Sequence, residues 1–218
     1  MNFLSYDGIL AQTIRHIVKL IALNICFILC CIPVFTAGAA ITSLYAVFLH
    51  GTLEQSPFRR FFQAFQSNFK QATVIWFVFL VLGLILGLDC YFLWTYQFPG
   101  KAILQSVTCI MAFVYFSAMC FAFPLQAHFE NKIYATMRNA LVLGVTMFLH
   151  SVIMLVVAGL PIVIFFVSVD LFIYALPFWA LFGATLSIQM NAMIVNHIFK
   201  KKLPAEHELI NPDNSQKL

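Results

Sequence analysis

Charge is what this sequence lacks. Only 9% of its 218 residues are Asp, Glu, Lys or Arg, against roughly 25% in an ordinary soluble domain. With 62% of the residues hydrophobic, there is too little polar surface to coat a water-facing body, so lipid is the solvent that fits the composition. The net charge of +4 is small and sits beside apolar runs. It reads as an orientation signal and a contact for lipid headgroups, and argues against a nucleic-acid partner.

Patterned cysteine is also missing. Cys26, Cys30, Cys31, Cys90, Cys109 and Cys120 lie in or at the ends of apolar runs without a C-x-x-C pair, which argues against a zinc site or a disulfide framework and for buried, inert thiols. H-E-x-x-H, G-x-S-x-G, a phosphate-binding glycine loop and paired histidines at helical spacing are absent too, so no catalytic residue, metal or organic cofactor is expected, and no enzyme activity.

The places where charge is absent define the architecture. No Asp, Glu, Lys or Arg occurs in residues 20–53, 71–88, 102–129, 139–169 or 171–199, each stretch close to or beyond the ~20 residues that cross a bilayer as a helix. The fold class is therefore an all-α integral membrane bundle. It has about five full spans plus a broken, re-entrant N-terminal segment, giving six membrane segments near residues 17–32, 37–49, 72–93, 102–123, 140–160 and 171–195. Residues 1–199 form one membrane domain and residues 200–218 a cytoplasmic tail. The first gap is the ambiguous one, because Pro33, Thr36 and Gly38 interrupt it. Ala37-Gly38-Ala39 resembles a signal-peptide cleavage site, but the apolar pattern continues through Leu49 as an uncleaved segment would.

The positive-inside rule offers a choice of topology. One crossing by residues 17–49, starting outside, leaves Arg15, Lys19 and Lys101 outside and the other nine basic residues inside. A hairpin broken at residues 33–38 leaves only Lys101 outside, 11 basic residues against 1. The hairpin scores better, so a multi-pass plasma-membrane protein with N- and C-termini both cytoplasmic is the expectation.

Residues 57–70 carry the clearest local pattern. Phe58, Phe61, Phe62, Phe65 and Phe69 recur at helical spacing, with Arg59, Arg60, Asn68 and Lys70 among the intervening positions. Ser56 can cap this helix and Pro57 suits its first position. Such a helix lies in the cytoplasmic interface, packs its Phe face on the bundle, or does both. A second connection, through Arg138-Asn139-Ala140, repeats the plan weakly. Gly83 and Gly87, and Gly183 with Ser187, are small-residue pairs suited to close helix approach.

Polar groups at membrane depth are the default functional candidates. Asn24 and His150 sit within apolar segments, and the last helix carries Thr185, Gln189 and Asn196 on one face and Ser187 and Asn191 on another. Each can serve as an interhelical hydrogen bond or line a substrate pathway.

The stretch Ile32-Pro33-Val34-Phe35-Thr36-Ala37-Gly38, then Leu44-Tyr45, then Phe61-Phe62-Gln63-Ala64-Phe65-Gln66-Ser67-Asn68-Phe69-Lys70-Gln71-Ala72 resembles the YesL family. This is a bacterial family of small multi-span membrane proteins of unknown function. Phe123-Pro124-Leu125 and Arg138-Asn139-Ala140-Leu141 resemble its second half. The resemblance implies an accessory or regulatory role in carbohydrate uptake, with the lipid bilayer and a sugar transporter permease as partners, and it transfers no ligand residues. The alternative is a small transporter or channel in its own right. Oligomeric state is not encoded in any motif found.

Overall fold

The computed structural model describes residues 9–50, 56–129 and 132–210. Its elements are α1 (Ile9–Cys31), a 3-10 turn (Val34–Thr36), α2 (Ala37–His50), α3 (Pro57–Thr95), α4 (Lys101–His128), α5 (Ile133–Thr146), α6 (Phe148–Val167), α7 (Val169–Phe178), a π-helical turn (Trp179–Gly183) and α8 (Ala184–Ile210). Among the described residues, five helical stretches are long and apolar enough to cross a membrane. The all-α membrane bundle read from composition is what the chain forms.

The short helix α2 is the hub. It lies along α3 and also touches α1, α4 and α8, and Ala39, Ala40, Thr42, Ser43, Leu44, Tyr45, Ala46 and Val47 are all buried. Small side chains make this possible. A Cβ on Gly38 would come within 2.5 Å of the Trp76 Cβ and 2.6 Å of the Ala72 carbonyl oxygen, so the α2 backbone rests directly on α3. The hydroxyls of Thr42 and Ser43 donate back to Gly38 and Ala39 carbonyls at 2.8 and 2.6 Å, which removes the penalty of burying them.

The break between α1 and α2 does not make a hairpin. Three anchors set its height along the bundle. At one end Phe199 of α8 packs on His128 and Phe129, with ring centroids 5.1 and 5.4 Å apart. Asn68 and Gln71 of α3 join Gln126 of α4 in this same layer. Trp76 donates its indole N–H to the Val34 carbonyl at 2.7 Å, which places the break only about 10 Å from that layer. Asn24, however, bonds to Ala180 and Thr185, and Thr185 precedes Phe199 by about 21 Å of helix. So α1 descends from the far end of the bundle, and α2 continues in the same sense toward the layer of Phe199. Tyr45, beside Asn191, fits this progression along α8.

This corrects the hairpin. The contacts show α1 and α2 running in one sense along the bundle, with α1 beginning at the end opposite to the end of α8; Ala11–Cys31 is by itself long and apolar enough to cross a membrane, and Val34–Leu49 is a shorter apolar helix. Charge spacing does not contain this relationship, because the decisive contact of Asn24 is non-local.

Three boundaries also move. The amphipathic stretch 57–70 and the span 72–93 are one helix of 39 residues, about 58 Å long against a ~30 Å hydrocarbon core, since no breaker separates them. That corrects the separate interfacial helix. Ser56 makes no side-chain cap bond there. The segment placed at 140–160 is instead α5 and α6, joined at a kink at Met147 (φ −101°, ψ 43°), where Ser151 donates to the Gly144 and Met147 carbonyls at 2.8 and 3.2 Å. The last segment begins at Val169, capped by Ser168, whose hydroxyl accepts from Leu171 N–H, and α8 carries on through the stretch assigned to the tail as far as Ile210. Cys90 and Cys109 are exposed on the outside of the bundle, unlike the buried thiols expected.

Candidate functional site

The polar residues within the bundle are used to hold its irregularities together. In the π-turn, Asn24 donates to the Ala180 carbonyl at 2.7 Å and accepts from the Thr185 N–H at 3.0 Å. Its carboxamide is thus inserted between the two backbone groups that the wider turn leaves to be satisfied. The Thr185 hydroxyl donates to Phe182. At the first break, the Thr36 hydroxyl lies 2.5 Å from the Cys30 carbonyl and 2.7 Å from that of Pro33, satisfying oxygens that the end of α1 exposes. Asn191 donates to the Met154 carbonyl at 3.4 Å. His150 is half-buried at the α5–α6 kink, and Gln189 and Asn196 are half-buried on α8. Of the six intramembrane candidates, the structure brings together Asn24 and Thr185 alone, and their bond is interhelical.

The motif residues on α3 divide by face. Phe61 is fully buried, Phe58, Phe65, Asn68 and Phe69 are half-buried, and Arg59, Phe62 and Lys70 are exposed, with Arg60 half-buried. The Phe face therefore packs on the bundle, as one of the two sequence readings had it. Phe62 lies outside that packing, 46% exposed beside the exposed Arg59.

At the basic end the same motif builds a polar pocket. Gln126, 4% exposed, donates its amide to the Gln71 side-chain oxygen at 2.7 Å and to that of Asn68 at 3.3 Å. Behind it the buried Thr136 hydroxyl donates to the Gln126 oxygen at 3.3 Å, while Asn68 donates to the Ala64 carbonyl at 3.1 Å and to Ser67 at 3.3 Å. The network ties α3, α4 and α5 into one unit. Beside it lies a pocket of about 590 Å³ lined by Ala46, Ala64, Ser67, Asn68, Gln71, Gln126, Ala127, His128 and Phe129.

Gln126 and Thr136 were not among the sequence candidates. A glutamine directly following the apolar run that ends in Phe123-Pro124-Leu125 was the available signal, but its partners lie 55 and 58 residues back in the chain. Gly83 is explained by packing, since a Cβ there would meet the Tyr115 hydroxyl at 2.6 Å, whereas Gly87 has nothing within 4 Å.

Comparison with known proteins gives one family. Residues 20–90 match a model described as a protein of unknown function, DUF624. No curated protein and no solved structure matches the chain. The matched stretch contains Asn24, the Pro33–Gly38 break and the α3 half of the pocket; Gln126, Thr136 and α8 lie beyond it.

Proposed function

We propose that this multi-pass membrane protein is a non-enzymatic accessory or regulatory component of carbohydrate uptake, working through its basic end. That end faces the cytoplasm in this reading, because eight of the eleven basic residues among the described ones lie on its side of the bundle and Arg15, Lys19 and Lys101 on the other. The N-terminal end of α1 then faces outward and the end of α8 inward. One observation carries the choice of an accessory over a transporter. Asn24, Thr36, Ser151 and Asn191 all direct side-chain hydrogen bonds at backbone groups of helix breaks or neighbouring helices, whereas a polar pathway needs such groups turned toward a passing solute. At the basic end, accessible polar groups line the pocket, and the exposed Arg59 stands beside Phe62 on α3. The carbohydrate link comes from the YesL resemblance, with which the DUF624 match is consistent.

The test is affinity purification of the tagged chain in gentle detergent, beside an Arg59→Glu, Phe62→Asp variant of equal expression. A sugar transporter permease that accompanies the native chain and is lost from the variant supports the reading. Transport of a solute by the purified protein alone in liposomes overturns it in favour of a small transporter.

A further inference from the structure

We infer that the pocket at the basic end is a binding site for a neutral saccharide; this rests on the regulatory reading above and names what the regulator senses. Its volume, about 590 Å³, falls within the roughly 300–1,000 Å³ of small-ligand sites. The lining supplies a hydroxyl from Ser67, carboxamides from Asn68, Gln71 and Gln126, and the His128 imidazole. None of the described lining residues is Asp, Glu, Lys or Arg, although basic residues gather at this end of the chain. Lys70 stands between Asn68 and Gln71 in sequence, yet it is exposed and is not among the lining residues. The described lining is therefore free of carboxylate, ammonium and guanidinium groups, which suits a ligand without a charge to neutralise.

The direction of the hydrogen bonds sharpens this. Gln126 gives its N–H groups to the oxygens of both Asn68 and Gln71, so the Gln71 oxygen is engaged and its NH2 group remains for a ligand. Gln71 is exposed to solvent while its oxygen is pinned, which combines access with a fixed orientation. The amides of Asn68 and Gln126 are spent within the network, so the groups left for sugar hydroxyls are the Gln71 NH2, which can donate, and the exposed Ser67 oxygen, which gives its proton to the Ala64 carbonyl at 3.2 Å and can accept. Ala46, Ala64 and Ala127 add small apolar walls and Phe129 an aromatic one, surfaces against which the C–H faces of a sugar ring can lie.

The experiment uses the full chain in nanodiscs of phosphatidylethanolamine and phosphatidylglycerol, freed of any glycosidic detergent, with binding followed by calorimetry and saturation-transfer NMR. Maltose, sucrose, trehalose and xylobiose are the neutral probes; glucose 6-phosphate and galacturonate are the anionic ones. Saturable binding of a neutral probe, weakened at least about tenfold by Gln71→Met and by Ser67→Ala, each measured well below its own melting temperature, is the result expected. The inference is overturned if no neutral probe binds, if an anionic probe binds as tightly, or if Gln71→Met binds like the native chain. Permease co-purification is scored separately, so its retention without sugar binding would sink this inference and leave the accessory reading standing.

Discussion

Asn24 and Thr185, 161 residues apart, are joined by a 3.0 Å hydrogen bond from the Thr185 backbone N–H to the Asn24 side-chain oxygen. The same carboxamide gives its N–H to Ala180. One side chain of α1 thereby completes the backbone of the π-turn preceding α8, and fixes α1 beside the half of the last helix remote from Phe199. The direction of the whole N-terminal segment follows from that position.

Replacing Asn24 by Leu removes both bonds and leaves a carbonyl and an N–H unsatisfied in an apolar interior. Each unsatisfied group costs about 1–3 kcal/mol, so thermal unfolding in nanodiscs should shift clearly downward. Thr185→Ala keeps the backbone N–H that Asn24 uses and should shift it much less. Equal melting of Asn24→Leu and the native protein would show that this contact carries no stability.

Gly38 and Gly87 form a matched pair of tests. A methyl at Gly38 collides with Trp76 and the Ala72 carbonyl, while one at Gly87 meets nothing. Gly38→Ala should cost about 1–3 kcal/mol through overpacking, whereas Gly87→Ala should be neutral or slightly stabilising because alanine is the better helix former. A stable Gly38→Ala protein would mean that α2 does not seat on α3 as described.

Topology is checked by single cysteines on a cysteine-free background. A cysteine at Gln12 should react with an impermeant reagent from outside intact cells, and one at Ser67 only after permeabilisation. Labelling of Gln12 only from the cytoplasmic side would restore the hairpin.

The two neighbouring phenylalanines Phe61 and Phe62 separate stability from interaction. Phe61 is fully buried, so Phe61→Ala should destabilise by about 3–5 kcal/mol; Phe62 is 46% exposed, so Phe62→Ala should fold normally. Under the accessory reading proposed above, growth on the carbohydrate handled by a co-purifying transporter should nevertheless fall with Phe62→Ala and with Arg59→Glu. His150→Gln, which keeps hydrogen-bonding capacity but cannot take up a proton, should leave growth intact. Loss of growth with His150→Gln, together with normal growth of the Arg59 and Phe62 variants, would contradict the accessory reading.

Composition and charge spacing determined the class of this protein, its helices and the break at Pro33, because helix length in lipid is set locally by runs of apolar residues and their interruptions. The Phe61–Gln71 motif was legible as an amphipathic helix for the same reason. Its fusion with the following span was not, since nothing in the period of 3.6 residues says whether a helix bends at the interface. Tertiary structure alone decided that Asn24 meets the π-turn, that α1 and α2 run in one direction, and that Gln126 comes to Asn68 and Gln71. Hydrophobic runs tell each segment only that it must enter lipid; which polar side chain satisfies which distant backbone or amide group depends on how the finished helices pack, and that pairing fixed both the topology and the pocket.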